Sequence, residues 1–268
     1  CDTHAHIFGS MERYPPKETR RYDPPDCGID RFRDMLDALG VERAVMVQSS
    51  AYGMDNSALL DGIASAGENF RGIALVTPDV ADEELQRLHE GGIRGIRAST
   101  LPNAPTEAKH MEGLANRIAD LGWVFLVHLQ HISELSKVAS IVPDLPVPCV
   151  IDNFGRIRGK DGIEDENFQA LLRLFERNEN CWVKLCSYYR LSDSGPPSYE
   201  DMAPYARAFV DICPDRLIWG TNWPHPHCPV AIPNDGDLFD ILFGWIGDEA
   251  TRQKILVDNP AKLFGFAH

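Results

Sequence analysis

Eight short apolar runs recur along the chain at intervals that leave room for a helix, and this alternation limits the fold more than any other feature. The runs are Cys1–Phe8, Ala44–Ser49, Gly72–Thr77, Gly95–Ser99, Val124–Leu129, Pro148–Asp152, Trp182–Cys186 and Arg216–Gly220. They are rich in Val, Ile and Leu, as strands covered on both faces require. The stretches between them carry helical periodicity. Asp30–Leu39 places Phe32, Met35, Leu36 and Leu39 on one face, and Asp82–His89, Glu107–Leu121, Glu166–Arg177 and Tyr199–Cys213 behave alike. Asp82–His89 is also acidic at its N-terminal end, as a helix dipole favours. Strand–helix alternation repeated eight times predicts a parallel sheet closed into a (β/α)₈ TIM barrel, an α/β fold. Such a barrel takes roughly 250 residues, so the 268 residues form one domain, 1–268. An open doubly wound sheet is the alternative, but its Gly-x-Gly-x-x-Gly marker is missing after the first strand. A His-x-His pair stands there instead.

Composition narrows the function classes. The net charge of −14 repels nucleic-acid phosphate and anionic membrane surfaces, and no basic run reverses it. No apolar stretch approaches the roughly 18 residues of a membrane span, and no signal peptide opens the chain. Because Cys1 directly precedes a strand motif, the natural N-terminus is expected to have been trimmed. The seven cysteines are scattered without a Cys-x-x-Cys pair, which predicts buried free thiols in a reducing cytoplasm. Nothing in the composition gives an oligomeric state.

In a TIM barrel the site forms at the C-terminal ends of the strands, and polar residues gather there. Asp2-Thr3-His4-Ala5-His6 puts His4 and His6 on one face of the first strand. Two converging imidazoles can bind a metal, hold an oxyanion or move protons, and as core residues they can equally satisfy backbone groups. Ser50 and Tyr52 follow the second strand, Arg97 ends the fourth, and His128 and Gln130 end the fifth. Asn153 follows the sixth, Arg190 the seventh, and Asn222 and His225 the eighth. Any one of these suits a loop or cap; together they mark a site. Arg97 and Arg190 are candidates for gripping a carboxylate, and Tyr22 and Tyr52 for donating from loops. Within His225-Pro226-His227, His225 is the better site candidate.

These segments carry a resemblance. His-Ala-His-Ile-Phe-Gly, Val-Gln-Ser-Ser-Ala-Tyr-Gly-Met-Asp-Asn, Gly-Ile-Arg-Gly-Ile-Arg, Val-Ile-Asp-Asn-Phe-Gly-Arg and Ile-Trp-Gly-Thr-Asn-Trp-Pro-His-Pro occur in order. The chain resembles the amidohydrolase-related family that contains 2-pyrone-4,6-dicarboxylate lactonase and the sugar-lactone hydrolases and isomerases. The resemblance implies metal-independent opening of a small anionic lactone. It implies that His4 and His6 polarise the carbonyl and that Tyr22, Ser50, Arg97 and Arg190 surround carboxylates. It also implies an acidic residue after strand eight that activates water.

The chain departs from that pattern where it matters. Asn153 stands in the histidine place of Asp-His-x-Gly-Arg, and Asn222 in the aspartate place of Thr-Asp-Trp-Pro-His. An amide hydrogen-bonds but takes no proton at neutral pH. Asn103 stands near a further arginine of the dicarboxylate lactonase, which argues against that same substrate. Metal-dependent amidohydrolases combine His-x-His, a strand-five histidine and a strand-eight aspartate, so His4, His6 and His128 can supply three ligands to a divalent ion such as zinc. The expectation is no obligatory metal.

The leading reading is a cytoplasmic lactone hydrolase of catabolism, with the chain as written an Asp-to-Asn inactive form if Asn222 replaces a natural base. Its rivals are recruitment to an isomerase, lyase or cyclisation reaction, and a ligand-binding pseudoenzyme. His4, His6, His128, Asn153 and Asn222 are the expected catalytic positions. Tyr22, Ser50, Tyr52, Arg97, Gln130, Arg190 and His225 are the expected binding residues.

Overall fold

The structure is a computed structural model, which describes residues 1–267. His268, the last residue of the expected domain, lies outside the described residues. Among them, eight parallel strands pair in chain order: β1 (Asp2–Ala5), β2 (Ala44–Val47), β3 (Phe70–Ala74), β4 (Ile93–Ser99), β5 (Val124–His128), β6 (Cys149–Ile151), β7 (Cys181–Cys186) and β8 (Leu217–Gly220). Each overlaps one of the expected runs, with β3 starting two residues before its run and ending three before the run does. The β8 end closes back onto β1 through a parallel bridge between Ala5 and Trp223. Asn222 N–H donates to the His4 carbonyl at 2.8 Å and His6 N–H to the Trp223 carbonyl at 2.7 Å. Gly220 makes this closure possible, since a Cβ there would lie 2.7 Å from the backbone nitrogen of His4. The expected TIM barrel is therefore the fold.

The helices are α1 (Ile29–Leu39), α2 (Ser57–Ala66), α3 (Asp82–Glu90), α4 (Met111–Ala119), α5 (Ser136–Ala139), α6 (Glu166–Arg177), α7 (Ala203–Ile212), α8 (Asp235–Trp245), α9 (Glu249–Gln253) and α10 (Asn259–Phe264). Two expected stretches begin with a 3₁₀ turn, Ala108–His110 before α4 and Glu200–Met202 before α7. α6 matches its expected bounds because Asp165 caps it, accepting from the Asn167 and Phe168 amides, while Phe168, Leu171 and Phe175 face inward. α1 stops at Gly40, whose left-handed φ of 66° lets its N–H and that of Val41 turn back onto the last carbonyls. Periodicity alone did not bring out α2, α5, α8, α9 or α10. α2, Ser-Ala-Leu-Leu-Asp-Gly-Ile-Ala-Ser-Ala, is small-residue-rich and has little polar contrast between faces.

Side-chain parity explains where the site lies. Odd and even positions of a strand face opposite ways, and the interior set starts apolar: Val45, Val47, Ile73, Val124, Leu126, Val150, Trp182 and Ile218 form one buried cluster. Ala261, Leu263, Phe264 and Phe266, in and just after α10, join that cluster and plug the N-terminal end of the barrel. Following the same parity toward the strand ends, the interior turns polar: Val124 and Leu126 give way to His128, Val150 to Asp152, Trp182 to Lys184, and Ile218 to Asn222. The other faces pack on the helices in a larger core containing Ala44, Met46, Phe125, Val183, Leu217 and Trp219.

Candidate active site

β1 delivers His4 and His6, whose ring centroids are 5.0 Å apart with the rings nearly perpendicular, at 83°. Both are buried. His6 Nδ1 lies 2.8 Å from the Val47 carbonyl, an acceptor only, so this nitrogen carries the proton. Nε2 of His6 is then its lone-pair edge. His4 Nδ1 lies 3.2 Å from Asp152 Oδ1 and 3.4 Å from Lys184 Nζ, so an acceptor and a donor both stand beside it. Burial, opposed by Asp152 and reinforced by Lys184, pushes His4 down to about 4. Burial, then His4 and Arg97, holds His6 well below its usual range, and burial with Arg97 does so for His128. All three imidazoles are neutral at physiological pH. His128 Nδ1 is buried without a hydrogen-bond partner among the described residues.

Beneath the pair lies a charged group that sequence reasoning missed. Lys184, fully buried, donates from Nζ to the Thr3 carbonyl at 2.7 Å, lies 3.4 Å from His4 Nδ1 and 4.0 Å from Asp152 Oδ1. Burial lowers Lys184, and Asp152 opposes that. Burial would raise Asp152, but the positive charges of Lys184 and Arg97 act against it and hold the carboxyl below the carboxylate range. Because His4 is itself neutral, the ammonium is the charge that balances Asp152. Asp2 serves the barrel closure instead. Its carboxylate accepts from the backbone of His4 and Thr221 and from the Thr221 hydroxyl, fastening β1 to the end of β8. Burial nevertheless raises it to about 6.

A cavity of about 490 Å³ opens above these groups at the C-terminal mouth, a size suited to a small ligand. His4, His6, Tyr22, Ser50, Arg97, His128, Gln130, Asn153, Arg190 and Asn222 all line it, so ten of the twelve expected site residues converge. Two do not. Tyr52 packs against Phe8 in a separate apolar cluster, its hydroxyl buried. His225 is turned away from the cavity toward Tyr189 and Asp235, while His227, expected to be the lesser candidate, lines the wall and stacks on Tyr22. Arg156 was also missed as a site residue. Left-handed backbone from Asn153 through Arg156, with φ between 49° and 66°, bends the chain after β6 and sends Arg156 inward.

The electrostatics of the lining run against those of the chain. Lys17, Arg20, Arg21, Arg97, Arg156 and Arg190 contribute to it, and among the described residues no Asp or Glu does. In a chain of net charge −14 this is a local reversal of sign. Arg20 is paired with Asp23 and Arg190 donates to the His227 carbonyl, whereas Arg97 makes no ion pair with a described residue. Asn153 Oδ1 is buried without a partner among the described residues. No group of three or more His, Cys, Asp or Glu side chains among the described residues is arranged to hold a metal ion. No described helix is long and apolar enough to cross a membrane.

Comparison with known proteins agrees with this architecture. The chain is 36% identical over 98% of its length, and 88% of the relative's, to 4-sulfomuconolactone hydrolase of Hydrogenophaga intermedia. It is 35% identical to 2-pyrone-4,6-dicarboxylate hydrolase of Comamonas testosteroni, over 98% of this chain and 89% of that one. The crystal structure of a probable 2-pyrone-4,6-dicarboxylic acid hydrolase of Acinetobacter baumannii with citric acid bound superposes with a TM-score of 0.86 at 29% identity, covering 99% of this chain and 98% of that one. The amidohydrolase family profile matches residues 1–266, and the chain belongs to that family.

Proposed function

We propose that this protein hydrolyses a small lactone carrying a carboxylate or comparable anionic group. The observation that carries the reading is the cavity at the barrel mouth, lined by six cationic side chains and floored by two neutral imidazoles. Arg97, which makes no ion pair with a described residue, grips the anion bidentately. Arg156 and Arg190 extend the positive field over the lactone and stabilise charge developing on its carbonyl oxygen. The activities named for the relatives, hydrolysis of a sulfomuconolactone and of a pyrone dicarboxylate, fit such a lining.

The His6 tautomer reassigns the pair. Polarisation of the carbonyl needs an N–H at Nε2, but Nδ1 of His6 holds its proton, so Nε2 of His6 accepts. We assign this edge the base role that Asn222 cannot fill. Water held at the pair gives its proton to Nε2 as its oxygen bonds to the carbonyl carbon; the ring C–O bond breaks and the proton returns to the leaving oxygen. His128 and Asn153 orient water or substrate from the facing wall. The reaction is assigned without a resident metal: position 222 supplies an amide rather than a carboxylate, and the Lys184 ammonium 3.4 Å from His4 disfavours a second cation. The free thiols support a reducing, cytoplasmic setting.

The test is turnover of a panel of carboxylated lactones and their neutral analogues, with metal content determined on the same preparation. Hydrolysis of carboxylated members in preference to neutral ones is expected. Turnover by an Asn222→Asp variant alone would make the chain as written an inactive hydrolase, and tight binding without turnover by either protein would make it a binding protein.

A further inference from the structure

Asn222 heads a buried hydrogen-bond chain that leads away from the cavity. Its Nδ2 donates to the Tyr189 hydroxyl at 2.8 Å; His225 Nδ1 lies 2.8 Å from that hydroxyl, and His225 Nε2 lies 3.0 Å from Asp235 Oδ1. Asn222, Tyr189 and His225 are all buried, and Asp235 sits in the first turn of α8. Asn222 and His225 both hold left-handed backbone, with φ of 67° and 60°. Such strained conformations persist where surrounding contacts fix them.

Hydrogen-bond accounting gives the chain a direction. The Asp235 carboxylate only accepts, so His225 carries its proton on Nε2. Nδ1 of the neutral ring then accepts, and Tyr189 must donate to it. The phenolic oxygen is left to accept, and it takes an amide hydrogen of Asn222. What remains is Asn222 Oδ1, an acceptor on a residue that lines the cavity. The opposite direction would need His225 doubly protonated and would turn the amide hydrogens toward the substrate.

We propose that Asp235, His225 and Tyr189 are positioning residues that fix the Asn222 amide with its carbonyl oxygen facing the cavity, where it accepts a hydrogen bond from the attacking water. The amide orients that water and takes no proton. The part played in turnover rests on the hydrolase reading; the orientation of the chain does not.

Two measurements test it on the intact protein. Nitrogen-15 NMR of histidine-labelled protein at neutral pH should show His225 as the Nε2–H tautomer, moving toward Nδ1–H in Asp235→Asn. A wild-type His225 that is Nδ1–H or doubly protonated would overturn the proposal without reference to activity. Tyr189→Phe should lower kcat by about 10–100-fold with KM within about twofold, a loss typical of a misplaced reacting group. In an Asn222→Ala background the same change should add almost nothing. An equal fractional loss in both backgrounds would overturn the positioning role. If the wild type turns over no lactone, the hydrolase reading fails and the tautomer alone decides this one.

Discussion

His4 Nδ1 and Asp152 Oδ1 stand 3.2 Å apart across the barrel, joining β1 to the end of β6, with the Lys184 ammonium beside both. A buried charge that loses its partner costs about 3–5 kcal/mol. Asp152→Asn and Lys184→Met should each lose about that much in urea denaturation, and the double variant should lose clearly less than the sum. Additive losses would mean that the two charges do not compensate each other.

Arg97 is expected to act on affinity. Charge-assisted hydrogen bonds contribute about 1.5–3 kcal/mol, so Arg97→Met should raise KM for a carboxylated lactone by roughly 10–100-fold. KM for the neutral analogue should stay within about twofold. Equal effects on both substrates would remove the anchoring role.

Tyr52 provides the contrasting case. It lies in the Phe8 cluster and away from the cavity, so Tyr52→Phe should leave kcat/KM within about twofold of wild type. The buried hydroxyl has no hydrogen-bond partner among the described residues, and its removal should leave thermal stability equal or slightly higher. A large fall in kcat/KM would return Tyr52 to the site.

The difference between Tyr52 and Lys184 marks what the sequence made legible. Strand count, strand order and the end of the barrel that carries the site followed from apolar spacing, because a parallel barrel leaves few other arrangements for such a pattern. Residues directly after strands were therefore well placed, and His4, Arg97, His128 and Asn222 converge as read. Lys184 was hidden because it sits inside a run judged by its apolar neighbours; interior parity with Trp182 was the available signal. Tyr52 and His225 lie after strands as well, but their direction depends on loop torsions such as the positive φ of His225. Asp235 lies in the first turn of a helix that sequence periodicity did not bring out, so nothing local paired it with His225.

The neutral histidines set an acid limit on stability. His4, with a usual pKa of 6.5 and a folded value of about 4, binds more protons unfolded than folded between those values. Stability therefore rises with pH through that window and is lost as pH falls below about 6.5. His6 and His128, held down by the same burial, push the same way. Asp2, raised from 3.8 to about 6, acts in the opposite sense over much of the window, since its folded form holds the extra proton. Three groups oppose one. The melting temperature should fall steadily from pH 6.5 to pH 4, and a flat or rising profile would show that these imidazoles are not held neutral.

Replacing Asn222 by aspartate should reverse the chain behind it. A carboxylate at position 222 only accepts, so the Tyr189 hydroxyl would donate to it across the 2.8 Å contact now made by the amide. The phenolic oxygen would then need a donor, and the facing group is His225 Nδ1. Asp235 still requires an N–H at Nε2, so both nitrogens are expected to be protonated, making His225 an imidazolium bonded to Asp235 and linked to position 222 through the Tyr189 hydroxyl. Nitrogen-15 NMR of Asn222→Asp at neutral pH should show that charged ring, where the parent shows the neutral Nε2–H form. The new carboxylate also stands at the cavity wall beside the histidine pair, where it can take the proton from water. A positioned base contributes about 10²–10⁴; because His6 already supplies part of that in the parent, kcat should rise by roughly the lower figure. A neutral His225 in the variant would show that the Tyr189 link breaks rather than reverses, and an unchanged kcat would show that the proton leaves the water on the side of the histidines.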